Sequence, residues 1–526
     1  MNKQLARFFA GTLLAAAVSA AWSAEADDGV VRFEISRFNV TGNTLLPPAE
    51  VERLLQPFAG KRRDFGDVQR ALEALEAAFH ARGYNIVTVE LPEQELDKGE
   101  VRLRVVETKI GRVNVKGNQH FDEANVRRAL PDLREGITPD LRQVSAGLRL
   151  ANDNPARKIA LKLQSSDTDG EVDAGLEVTD ENPWKAMLNA DNTGTDSTGK
   201  THLGFILQHA NLWGLDHVAT LQYTTTAEKP GRVKVYGVGY HIPLYGLGDA
   251  IDLFGSYSNV DSGTITAGVF DLAVSGKGAV YGARYTHNLP KSGNIDSRVV
   301  YGVDYKAFKN SVVLLGQELG NDVTVHPLSV NYVLNWSQGV TEAGASATLL
   351  YNISGGSRGG QDDFTRARVG AKAGYSALRL SGSYGRTLPK DWQLRLIANA
   401  QYSPDALIPG EQFGAGGAGS VRGFGEREIS NDSGVGANAE LYTPNLCGGG
   451  NWQCRALAFY DTAYVKRNHA LAGELTSTSI GSVGLGLRLL LSTYINLQLD
   501  YGHVVHAGAT GRDGANRLHV RLGLSY

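Results

Sequence analysis

The chain has only two cysteines, too few for a thiolate metal site or an iron–sulfur cluster. Beyond the N-terminus it has no apolar run of about 18 residues, the length that would read as a spanning helix. Mean hydropathy is −0.22, which agrees. Neither feature excludes a β-barrel, whose membrane signal lies in alternation rather than in average hydropathy. Charge of one sign is also scarce. The formal net charge is −3, so nothing points to a nucleic-acid partner. The 12 histidines form no H-E-x-x-H or comparable ligand spacing, so no metal or other cofactor is expected. Two glycine-rich matches to enzyme motifs lack their setting. Residues 414–419 fit G-x-G-x-x-G without the strand before and helix after that a dinucleotide site needs. Residues 355–359 fit G-x-S-x-G without a strand-to-helix elbow. No enzymatic activity is expected.

Glycine, by contrast, is abundant at 63, and tyrosine outnumbers phenylalanine, 21 to 16. The start reads as an export signal, expected to span 1–24. Lys3 and Arg7 precede an apolar core, and the small residues Ala20, Ala21, Ser23 and Ala24 follow it. An exported chain meets an oxidising compartment. Cys447 and Cys454, which enclose Gly-Gly-Gly-Asn-Trp-Gln, are therefore expected to form a disulfide.

The front of the chain is written twice. Phe38-Asn-Val-Thr-Gly-Asn43 recurs as Val113-Asn-Val-Lys-Gly-Asn118. After the first copy, Val51, Leu54, Leu55 and Phe58 fit one helical face, and Val68, Leu72, Leu75 and Phe79 fit a second. Val87, Val89 and Leu91 then alternate, as do Val101, Leu103 and Val105. After the second copy, Val126 and Leu130 mark a helix, and Leu141, Val144 and Leu148 mark another. Alternating runs follow at Ile159, Leu161 and Leu163 and at Val172, Ala174, Leu176 and Val178. The order β-α-α-β-β, over 33–107 and again over 108–180, resembles the POTRA domain. That resemblance implies a small sheet with an open edge able to pair with an extended peptide.

From 183 to 526 the pattern becomes long dyad alternation. Leu328, Val330, Tyr332, Leu334 and Trp336 face one way, Ser329, Asn331 and Asn335 the other. Ile495, Leu497, Leu499 and Tyr501 similarly oppose Asn496, Gln498 and Asp500. Tight and long connections alternate, as short periplasmic turns and long external loops do in outer-membrane barrels. The reading is a transmembrane antiparallel β-barrel of about sixteen strands, with the cysteine turn on the periplasmic side. Inward carboxylates such as Asp304 and Asp500 are expected to hydrate the pore. The last strand carries Leu518, Val520, Leu522, Leu524 and the terminal aromatic Tyr526 on one face.

The stretch around which the barrel is organised is Val421-Arg422-Gly423-Phe424, embedded in a glycine-rich segment. It is expected at the tip of a loop, 403–432, folded into the lumen. An arginine inside a barrel needs a carboxylate, and Phe459-Tyr460-Asp461 in a later alternating run offers Asp461.

A signal, two POTRA-like units, about sixteen strands, Val-Arg-Gly-Phe and a later Phe-x-Asp together resemble the two-partner secretion transporters. These belong to the superfamily of the POTRA-bearing barrel-assembly insertases. The resemblance implies a protein of the Gram-negative outer membrane with its POTRA-like units in the periplasm. It would capture an unfolded exoprotein there and pass it through the barrel to the cell surface. Outer-membrane lipid and, during biogenesis, the barrel-assembly machinery are the further partners implied, and the protein is expected to be monomeric. The resemblance makes Arg422 and Asp461 a lumenal pair, with Val421, Gly423, Phe424 and Phe459 as their motif neighbours and Tyr526 as the assembly signal. The family's second motif reads Phe-x-Asp-x-Gly; here Ala463 stands in the last place. The residues between the signal and the first strand are too few for the family's usual plug helix. An insertase and a passive porin-like channel are the alternatives. Known insertases carry more POTRA repeats, and porins lack the soluble front.

Overall fold

The computed structural model describes residues 31–526 apart from 96–98, 260–263, 266–273, 276, 310–312, 315–316 and 319–321. The expected signal, 1–24, lies outside the described residues, as do parts of the long connections at 261–277 and 310–323. The chain divides into two compact units, one ending at Glu107 and one running from Thr108 to Tyr526.

In the first unit, β1 (Arg37–Thr41) is followed by α1 (Pro48–Leu55), α2 (Phe65–Ala81), β2 (Val87–Glu90) and β3 (Glu100–Glu107). The sheet runs β1-β3-β2, with β1 parallel to β3, so β1 and β2 are its edges. Asp64 and Asp67 close a capping box at the start of α2, each side chain accepting the other's backbone N–H. Val68, Leu75 and Phe79 of α2 then bury against Val87, Val101, Leu103 and Val105. The second unit begins with the same order: β4 (Lys109–Lys116), α3 (Glu123–Arg128), α4 (Leu141–Asn152), β5 (Arg157–Ser165) and β6 (Glu171–Asp180). Its sheet runs β4-β6-β5, again with first and last strands parallel. The duplicated Gly-Asn does one job twice. Gly42 and Gly117 take φ of +78° and +86°, open to glycine. The Asn43 and Asn118 side chains then donate to the Leu46 and Phe121 carbonyls, each at 2.8 Å. A carboxylate from the last strand accepts the next N–H groups, Glu107 from Thr44 and Leu45, Asp180 from Gln119, His120 and Phe121.

The barrel strands follow. They are β7 (Trp184–Asp191), β8 (His202–Leu212), β9 (His217–Thr226), β10 (Val235–Leu244), β11 (Asp249–Ser258), β12 (Lys277–Asn288) and β13 (Ile295–Lys309). β14 consists of Val323–Val325 and Pro327–Gln338, interrupted only at His326. After it come β15 (Thr341–Asn352), β16 (Ser376–Thr387), β17 (Gln393–Tyr402) and β18 (Ser433–Tyr442). The last four are β19 (Trp452–Lys466), β20 (Ser477–Leu491), β21 (Ile495–His506) and β22 (Asn516–Ser525). These sixteen strands close into an antiparallel barrel in which β22 pairs with β7. Closure satisfies every ladder group without a second layer, the condition for crossing lipid as strands. Leu328, Val330 and Tyr332 are exposed on the outer face, as are Tyr460 and Tyr464, while Phe459, Asp461 and Ala463 turn inward.

The β4–β6 portion is fastened to the barrel end formed by the turns 211–216 and 244–248. Its apolar core takes in Ala210, Val218 and Tyr245. At the centre lies Arg157, 1 % exposed. It bonds Asp216 at 2.9 Å and Asn125, and stands 5.1 Å from the Phe121 ring centroid. The Tyr245 hydroxyl donates to Asp216 at 2.7 Å. Burial, and then the Asp216 charge, push the Tyr245 phenol well above its usual range, so it remains a donor. Asn125 and Asn154 donate to the Gly214 and Ala210 carbonyls.

At the opposite end, the long connection after β15 is not plain loop. It contains α5 (Gln361–Ala367), whose Phe364 packs with Tyr375, Leu407, Val323 and Val325. Glycines at 355–360 masked this turn of helix in the sequence pattern.

Candidate functional site

Residues 403–432 leave β17, pass inside the barrel and return to β18. A short hairpin, Phe413–Ala415 against Ile429–Asn431, stiffens the segment. Two buried carboxylates, Glu411 and Asp432, hold its base through ion pairs. Glu411 bonds Lys306 of β13 at 2.9 Å and Arg379 of β16 at 3.1 Å. Asp432 pairs with Arg368 and accepts the Leu407 and Asn468 N–H groups at 2.8 and 2.7 Å.

At the tip, Arg422 is 3 % exposed and Asp461 fully buried. Arg422 Nε and Nη2 donate to the two Asp461 oxygens, both at 2.7 Å, a bidentate fork. The Arg422 backbone N–H also donates to Asp461 Oδ2, at 3.1 Å. The guanidinium carbon lies 3.5 Å from the Phe459 ring centroid, a cation–π contact from the residue two before Asp461 on the same inward face. Nη1 reaches Glu440 of β18 at 2.8 Å and Asp500 of β21 at 3.4 Å. Asn438 Nδ2 donates to Asp461 Oδ1 at 2.8 Å. Gly423 adopts φ +93° and turns its N–H to His519 Nε2, 3.1 Å away. Val421 and Phe424 bury in an apolar cluster with Ala415, Ile429, Ala463, Val465, Ile480 and Val504. The methyl of Ala463 therefore lies in the same apolar cluster as Phe424.

The expectation that Asp304 and Asp500 hydrate the pore is corrected. Both are buried and paired, Asp304 with Arg284 at 2.6 Å and Asp500 with Arg422 and with Arg488 at 2.9 Å. Arginines on neighbouring strands claim them, a pairing that alternation alone does not specify. Glu440, Asn438, Arg488 and His519 belong to the tip's surroundings and escaped the sequence reading. All were legible as inward-facing positions; only the strand register (Asn438↔Asp461, Glu440↔Phe459, Asp500↔His519) brings them together.

The remaining candidates lie apart from the tip. Cys447, in the turn between β18 and β19, is bonded to Cys454 near the start of β19, Cα atoms 5.3 Å apart. Asn445 of that turn reaches Asp391 of the turn before β17. Tyr526 presents an exposed ring, and its backbone exchanges both bonds with Ala186 at 2.9 and 3.0 Å, continuing the closing seam.

Comparison with known proteins follows the same division. Residues 170–489 match the profile of the family described as Haemolysin secretion/activation protein ShlB/FhaC/HecB. Residues 33–108 match that of the POTRA domain, ShlB-type. The outer membrane transporter CdiB of Dickeya dadantii is 25 % identical over 94 % of this chain and 87 % of its own. The transporter of that name from Escherichia coli O6:K15:H31 is 25 % identical over 76 % and 67 %. Among solved structures, CdiB from Escherichia coli superposes with a TM-score of 0.74 at 21 % identity, covering 95 % of this chain and 92 % of its own, a likeness of fold.

Proposed function

The chain belongs to the haemolysin secretion/activation family, outer-membrane transporters of two-partner secretion, and we propose that it exports one unfolded exoprotein through a lumen gated by the 403–432 loop. In this reading the soluble front lies in the periplasm and takes an extended segment of the client along an open sheet edge, β1 or β2, by strand addition. The client then passes through the barrel to the surface, and the barrel's apolar outer face meets outer-membrane lipid. The protein acts as a monomer, and the barrel-assembly machinery inserts it by way of its last strand and Tyr526. The observation that carries the reading is the Arg422 dock. An arginine on a loop, rather than on the wall, bonds carboxylates of three different strands, so the loop can leave as a unit and the wall remains whole.

Co-expression with a large secreted candidate client tests it. The client should reach the medium with the intact transporter. With residues 33–107 deleted, the barrel should still insert and conduct ions while the client stays in the periplasm. Normal secretion by the deletion would end the capture reading. Loss of other outer-membrane proteins on depletion would favour an insertase instead.

A further inference from the structure

Charge alone does not place the loop tip. Arg422 has Asp461, Glu440 and Asp500 within reach, on β19, β18 and β21. Something else must decide which of them receives the bidentate fork. The tip's backbone supplies it. Two consecutive N–H groups point at opposite partners: Arg422 N–H to Asp461 on β19 and Gly423 N–H to His519 Nε2 on β22, each at 3.1 Å. The tip thus bridges four strands. Between the two bonds it lies flat on β21 at Gly502. A Cβ there would stand 2.6 Å from Gly423 N and 2.8 Å from the Arg422 carbonyl carbon, so only glycine lets the backbone approach.

His519 is 3 % exposed. Accepting at Nε2 makes it the neutral tautomer with its proton on Nδ1, and Nδ1 has no partner among the described residues. Among the described residues, the ring's one hydrogen bond is the one to the loop. A histidine kept only for packing has no need to aim its acceptor at a loop amide. Leaving the other ring nitrogen unsatisfied in the interior is a cost that the bond to Gly423 helps offset.

We propose that His519 and Gly502 form a backbone dock that sets the position of the loop tip and so directs Arg422 to Asp461. This rests on the reading of the loop as the gate. His519 is a positioning residue: it acts through Gly423 and touches no client.

The test compares His519→Leu, His519→Gln and Gly502→Ala with the full-length protein in the outer membrane. The control is Gly385→Ala in β16, where an added Cβ has nothing within 4 Å. Heat-modifiable migration reports insertion, planar-bilayer recording reports the closed-state occupancy, and client in the medium reports export. His519→Leu should insert, lower the docked-to-undocked ratio roughly fivefold or more and reduce export, because a buried donor is left unpaired. Gly502→Ala should do the same by displacement, and the control should match wild type. His519→Gln, whose side-chain carbonyl can accept from Gly423, should restore most of the closed state. Wild-type behaviour of His519→Leu, or a His519→Gln as defective as His519→Leu, overturns the proposal. If His519→Leu does not insert, a Gly502→Ala with wild-type gating overturns it and a leaky one supports it. Arg422→Ala separates the two readings. A defect there with normal His519→Leu sinks only the backbone dock, whereas wild-type export from Arg422→Ala sinks the gate.

Discussion

Arg422→Ala and Asp461→Ala should not be equivalent, although the two residues share one fork. Removing the arginine leaves Asp461, Glu440 and Asp500 facing one another. Asp461 retains the Asn438 amide at 2.8 Å and the backbone N–H of residue 422 at 3.1 Å, Glu440 the Tyr442 hydroxyl at 2.7 Å, and Asp500 the Arg488 guanidinium. Breaking a buried pair from one side costs about 3–5 kcal/mol, less where lumenal water reaches the site. Removing Asp461 leaves Arg422 with Glu440 at 2.8 Å, Asp500 at 3.4 Å and the Phe459 ring. That loss is closer to about 1–3 kcal/mol. At about 1.4 kcal/mol per decade, Arg422→Ala moves the docked-to-undocked ratio by about a hundredfold or more and Asp461→Ala by about fivefold to a hundredfold. The double variant should resemble Arg422→Ala, because neighbours sharing one interaction are non-additive. Arg422→Lys should rescue only in part, since an ammonium cannot reproduce the planar fork. Single-channel recording of closed-state occupancy, with client export alongside, measures all four. Asp461→Ala more defective than Arg422→Ala, or defects that simply add, would refute the three-carboxylate account.

At the periplasmic end, Arg157→Met leaves Asp216 buried and unpaired and should weaken the hold of 108–180 on the barrel by about 3–5 kcal/mol, read as faster trypsin release of that segment. Adding Asp216→Asn should recover much of it, because asparagine removes the unpaired buried charge and tolerates the left-handed backbone at 216, φ +62°. Tyr245→Phe should cost about 1.5–3 kcal/mol in the same assay, the worth of a hydrogen bond to a charged group. At the outer end, Asp432→Asn should loosen the base of the loop and raise cleavage by external trypsin at Arg366 and Arg368. Unchanged cleavage would show that the Arg368 pair is dispensable. Cys447→Ser should export normally, because the bond closes a short loop and is worth only about 2–2.5 kcal/mol. Labelling of both cysteines in the unreduced protein would refute the bond.

The sequence by itself determined the architecture, for reasons that are local. Dyad alternation such as Leu328 to Trp336 repeats on every wall strand because lipid and lumen lie on opposite faces of each. The two soluble repeats show because Gly42-Asn43 and Gly117-Asn118 make the same turn, and such turns admit few residues. Arg422 and Asp461 could be matched because each sits in its own short motif. Tertiary structure decided how that pair is surrounded. Glu440, Asp500 and His519 are ordinary inward positions until barrel closure sets their strands in register, and a one-residue slip would turn each outward. The same holds for Arg157 and Asp216, one in a soluble strand and the other in a barrel turn, which no periodicity relates. α5 was hidden by the glycines that precede it and exists through the packing of Phe364 against Tyr375 and Leu407. Alternation tells a strand which face is wet; only closure tells a buried charge which partner it has.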